Sequence, residues 1–161
     1  MRSKRIMAPF LVAVGIAAYA GAVRATPPSG VVPTIYGVGE VAPFDTSGKI
    51  GAWAAKMNVT GASDIYVLSN TIAPGGSFGW HSHPGPSFVI VRSGTATFYL
   101  GADAKCRPHR VPTGSTFVDK GRAVHIVRNE GTVPLVTVVV SFVPHGAERR
   151  IDEADPGHCH F

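Results

Sequence analysis

Beyond residue 25 the chain alternates short apolar runs with clusters of Gly, Pro, Asn and Asp, and almost nothing recurs at helical spacing. Runs rich in Val, Ile, Thr and Phe predict strands over residues 35–41, 65–73, 78–83, 88–92, 95–100, 115–118, 124–128 and 135–143. Only two short pieces, 51–57 and 148–154, read as helical, so the expected class is all-β. Ser93-Gly94 sits between two of the predicted strands as a two-residue hairpin connection would, and Asn129-Glu130-Gly131 supplies a turn before the last one. Residues 88–91 are apolar at every position and 136–140 at all but Thr137, which suits strands covered on both faces by a second sheet or a partner subunit.

The N-terminal pattern is of another kind. Arg2, Lys4 and Arg5 precede an apolar run over 6–22, and small residues Val23 and Ala25 flank Arg24 ahead of Thr26-Pro27-Pro28. This is the three-part form of a secretory signal peptide, so residues 1–25 are expected to be removed, with Ala22 as an alternative cut and an uncleaved anchor as the alternative state. Cleavage would leave 136 residues, Thr26 to Phe161, enough for one domain with a real core. It removes four of the 15 Lys+Arg and none of the 10 Asp+Glu, leaving a net charge of +1. The basicity of the whole chain is then a property of its export signal and no argument for nucleic acid as a partner. The mature protein is expected to be periplasmic or secreted, with no membrane contact.

Export would place Cys106 and Cys159 in an oxidising compartment, where their simplest use is a disulfide tying the C-terminal tail to a mid-chain loop. Two free thiols are the alternative.

His81-Ser82-His83 lies on a predicted strand, where side chains two apart share a face, so both imidazoles can enter one cavity. A His-x-His pair alone is more often a surface feature than a metal site. His125 strengthens the case: it sits among Val124, Ile126 and Val127, where an imidazole needs a partner for its ring nitrogens. One shared metal would satisfy all three.

The spacing around these histidines resembles the two motifs of the cupin superfamily. The first runs from Gly75 through His81-x-His83 and position 87 to Gly94; the second runs from Gly114 through His125 to Asn129. The resemblance implies a β-barrel, a jelly roll of two antiparallel sheets, with a metal held inside by His81, His83 and His125, and it suggests a homodimer. The expected organisation is a signal peptide at 1–25, an N-terminal extension and first strand at 26–60, the barrel at 61–146, and a tail at 147–161 outside the barrel.

Three positions depart from the motifs. Ser87 stands where the first motif usually has a glutamate ligand, and no Asp or Glu occurs between Asp64 and Asp103 to replace it from a neighbouring position. Lys120 and Arg122 stand at the usual proline and glycine of the second motif, which bears on the aim of His125. Three neutral imidazoles without a carboxylate favour Fe(II), then Zn(II), Ni(II) or Cu(II), over the harder Mn(II). Three protein ligands with open positions describe a catalytic rather than a structural site. Within the family, three-His sites resemble those of thiol and diketone dioxygenases, which implies Fe(II) and O2 for an enzyme of this kind, with substrate atoms filling the position beside Ser87.

The other histidines carry less. His109 reads as a solvated loop residue, His145 as a barrel-rim residue, and His158-Cys159-His160 as a chelate whose cysteine has a better use in the disulfide. Phe78, Trp80, Phe88, Phe98, Tyr99, Phe117 and Phe142 read as core and cavity lining. The leading function is a metal-binding exported cupin coordinating a small organic ligand, as a dioxygenase-like enzyme. The alternatives are a non-catalytic binding or sensing module and a barrel whose site has degenerated. No general acid or base, and no substrate, is legible at this stage.

Overall fold

The computed structural model describes residues 25–161, so the expected signal peptide lies outside the described residues but for Ala25. Among them there is no helix, and hence none long and apolar enough to cross a membrane. Twelve strands follow one another: β1 (Ser29–Val41), β2 (Phe44–Ile50), β3 (Trp53–Val59), β4 (Ser63–Ser77), β5 (His81–Ser82) and β6 (Ser87–Ser93). After them come β7 (Thr95–Leu100), β8 (His109–Pro112), β9 (Thr116–Asp119), β10 (His125–Arg128), β11 (Leu135–Pro144) and β12 (Ile151–Asp152).

Ten strands form a nearly closed, wholly antiparallel jelly roll of two layers. One layer runs β1-β4-β11-β6-β9 and the other β12-β5-β10-β7-β8, and they join where Arg128 of β10 pairs with Ser77 at the end of β4. Ile72, Val91 and Leu135 of the first layer meet Ala96 and Val127 of the second in a closed apolar core. β11 shows how the pleat sorts its side chains: Leu135, Thr137, Val139, Ser141 and Val143 are buried, while the residues between them are only half-buried. The outward face of β6 is more open still, with Phe88 and Ile90 45% and 48% exposed. The both-face cover expected for these apolar runs is therefore incomplete among the described residues.

Several local expectations are corrected. Residues 51–57, expected as a helix, form the turn and second strand of the β2–β3 hairpin, with Ile50 paired to Trp53 across Gly51 at φ 58°. A two-residue turn with positive φ matches the twist of the strands it joins, and that outweighs the Ala-rich helix preference. Ser93-Gly94 does not close a hairpin, since β6 pairs with β9 and β11 while β7 pairs with β8 and β10. Instead Gly94, at φ 76°, carries the chain from one layer to the other, so close to β11 that a side chain there would press on Pro134 and Leu135. His109 opens β8 and stacks on Phe98 at 4.8 Å.

The C-terminal tail does not lie outside the barrel. Its segment 148–154, also expected as a helix, is extended: Ile151 and Asp152 pair with Ser82 and His81, and Glu153 donates its backbone N–H to Trp80. Cys159 is buried against Trp80, Tyr99 and Ile126, a patch that needs covering, and Phe161 packs on the rings of Trp80 and Tyr99. Cys106 and Cys159 are joined in a disulfide across a sequence separation of 53. The chain-entropy account assigns a loop of that size about 4 kcal/mol. Changing both cysteines to serine should lower the urea midpoint by a corresponding amount; an unchanged midpoint would show that the bond constrains nothing.

Candidate metal centre

β5 and β10 lie side by side in the second layer, with His81 directly opposite His125 in the antiparallel register. The chain beyond β5 stays close to this pair because the N–H of Arg122 donates to the carbonyl of His83 at 2.7 Å. His83 therefore faces the same space as His81 although the strand itself has ended. Ring centroids stand 4.3 Å apart for His81 and His125, 4.9 Å for His81 and His83, and 5.5 Å for His83 and His125. All three side chains are buried, and one ring nitrogen from each falls within 4.8 Å of the others.

The orientation of each ring is fixed by the backbone. Nδ1 of His81 lies 2.9 Å from the carbonyl oxygen of Gly79, that of His83 2.6 Å from Arg149, and that of His125 2.8 Å from Ala123. A carbonyl oxygen only accepts, so each Nδ1 must carry the proton and each Nε2 is left with a free lone pair. This is the outer hydrogen-bond pattern that aims imidazole ligands at a metal. Burial, and after it the nearness of His125 and Arg150, pushes the His81 imidazolium down to about 2. Burial likewise lowers His83, against the pull of Arg149's carbonyl and Asp119. Both imidazoles are thus neutral and available as ligands near neutral pH.

The histidines line a cavity of about 180 Å³, well below the roughly 300–1,000 Å³ of drug-sized sites. Phe78, Phe117, Val89 and Val139 form its apolar wall, and Arg149 and Arg150 of the tail border it. The Arg150 guanidinium donates to Asp152 and to the Phe78 carbonyl. No ion-pair partner of Arg149 occurs among the described residues. Ser87 also lines the cavity, but its hydroxyl is engaged with that of Ser141 at 2.8 Å.

Sequence reasoning missed Asp119. It closes β9 and pairs in register with Ser87 on β6, so the carboxylate absent from position 87 enters from the adjacent strand. Its Oδ1 accepts the Gly121 N–H, while Oδ2 is buried without a hydrogen-bond partner, 3.6 Å from Nε2 of His83 and 3.8 Å from Nε2 of His125. The altered second-motif turn does not spoil the aim of His125. Arg122 simply adopts the left-handed conformation suited to glycine, at φ 62°. The other histidines stay apart: His145 is exposed and bonded to Asp64, and the sulfur beside His158 is spent in the disulfide.

Three imidazole lone pairs and a carboxylate around one buried point form a donor set suited to a divalent transition metal. The first three are the residues expected as ligands.

Among known proteins, the family model described as "Cupin domain" matches residues 70–141. No curated protein matches the chain. A conserved protein of unknown function from Streptococcus pyogenes is similar at 22% identity and a TM-score of 0.44, over 51% of this chain and 67% of that one. The oxalate decarboxylase of Lactobacillus farciminis, in a formate complex, is similar at 26% identity and a TM-score of 0.47, over 55% of this chain and 26% of that one. The polyketide cyclase RemF of Streptomyces resistomycificus is similar at 18% identity and a TM-score of 0.47, over 57% and 64%. The chain thus spans only about a quarter of the decarboxylase. The matched stretch carries both motifs' histidines and builds most of the barrel around them, so this part of the chain is a cupin domain.

Proposed function

We propose that the protein is an exported, metal-dependent cupin that coordinates a small organic ligand in its barrel and, loaded with Fe(II), oxidises it with O2. The observation that carries this reading is the convergence of three Nε2 lone pairs on the cavity, each held there by a backbone carbonyl on Nδ1. A bound metal would supply Lewis-acid or redox chemistry at open coordination positions. The chain's own residues do the rest. Phe78, Phe117 and Val139 exclude water around the ligand, and the half-buried Arg149 guanidinium favours one bearing an acidic or electron-rich oxygen. The cavity's size limits it to small molecules. The disulfide supports export, since such bonds persist in oxidising compartments.

A second reading, a non-catalytic binding or sensing module, is favoured by one feature. Apart from the histidines and Asp119, the lining offers no group suited to proton transfer near neutrality.

Three measurements bear on these readings. Elemental analysis of the purified protein should find about one equivalent of a divalent transition metal, lost from a His81→Ala/His83→Ala variant that still melts cooperatively; equal metal in both would defeat the proposal. Long-range proton–nitrogen correlation spectra of the metal-free protein should show all three histidines with the proton on Nδ1, and an Nε2–H form at any of them would contradict the orientation argument. Iron-loaded protein should consume O2 with at least one of a panel of thiols, diketones and phenolics. Absence of uptake by metal-replete protein across the panel would favour the binding module.

A further inference from the structure

We infer that Asp119 is a fourth protein ligand of the metal, a carboxylate that has moved from the strand bearing position 87 to the strand paired with it. The inference rests on the three-imidazole site proposed above and adds a residue that no sequence motif places there. Three observations carry it. The first is register: Asp119 of β9 lies directly opposite Ser87 of β6, so its side chain reaches the part of the cavity that a longer residue at 87 would occupy. The second is spacing. Oδ2 stands 3.6 and 3.8 Å from the Nε2 atoms of His83 and His125, too far for hydrogen bonds. Those lengths approach the roughly 3.0–3.5 Å that separates ligand atoms bound at about 2.1 Å to one ion.

The third observation is the orphaned atom. The Asp119 side chain is only 9% exposed, and Oδ2 has no hydrogen-bond partner among the described residues. A buried carboxylate oxygen left so carries a large desolvation cost that a cation would offset. Oδ1, by contrast, is occupied by the Gly121 N–H at 2.9 Å, which holds the carboxylate in place and leaves Oδ2 facing the imidazoles. Ser87 cannot take the role, because its hydroxyl is tied to Ser141. A hard, negatively charged oxygen beside three imidazoles widens the metal preference from soft-tolerant ions such as Zn(II) toward Mn(II) and Fe(II).

The test uses the full chain, stripped with a chelator and titrated with Mn(II), free ion being followed by electron paramagnetic resonance. Asp119→Asn retains the Oδ1 contact to Gly121, so the turn is kept and only the ligand charge is lost. It should weaken Mn(II) binding at least tenfold, and more than it weakens Zn(II) binding measured by chelator competition. Ser87→Glu in the Asp119→Asn background should recover most of the Mn(II) affinity from across the strand pair. Infrared difference spectra between metal-free and Mn(II)-loaded parent should show a shifted carboxylate stretch that is missing in Asp119→Asn. Binding of Mn(II) by a folded Asp119→Asn protein within twofold of the parent, or a parent difference spectrum without that band, overturns the assignment while leaving the imidazole site intact. A parent that binds neither ion overturns both.

Discussion

Everything at the centre depends on a small set of hydrogen bonds: a backbone carbonyl accepting the Nδ1 proton of each of three buried histidines. Two of these bonds are local, from Gly79 to His81 and from Ala123 to His125, each spanning two residues. The third is long-range, from Arg149 to His83 across 66 residues. The local pair needs only the turns entering β5 and β10. The long-range bond needs the tail, which is seated by β12 on β5, by Ser82 donating to Glu153 at 2.6 Å, and by the disulfide farther on. The tail is therefore part of the site. It supplies the carbonyl that aims one imidazole, and both arginines of the cavity lining.

The electrostatics follow from the same arrangement. Burial removes the imidazoles from water and keeps His81 and His83 neutral, so that they can offer lone pairs rather than protons. Positive charge enters the lining from Arg149 and Arg150, and negative charge from Asp119 beside His83 and His125.

The all-β class, most strands and the grouping of three histidines were legible because they rest on local signals: period-two patterning, β-branched runs, a His-x-His pair and a later histidine inside an apolar run. What was not legible required knowledge of pairing partners. Ser93-Gly94 has the composition of a hairpin turn, yet the strands on either side belong to different layers. Residues 51–57 carry helix-forming side chains, and only the pairing with β2 makes them a strand. Asp119 was overlooked for the same reason. The chain near position 87 holds no replacement for the carboxylate, whereas the structure brings one from 32 residues later by strand register. Its signal in the sequence is slight: an acidic residue one position past the predicted strand 115–118, six positions ahead of His125. The tail shows the limit again, since its charges and its Asp-Pro-Gly turn read as solvated, while Cys159 and Phe161 are the groups that dock it.

The central claim is that three Nε2 atoms share one ion, and X-ray absorption at the edge of the metal that co-purifies with the protein addresses it most directly. The account expects a first shell of nitrogen and oxygen at about 2.0–2.2 Å, with outer-shell scattering that fits three imidazole rings. A shell of oxygen alone, or one fitted by no more than a single imidazole, would contradict it.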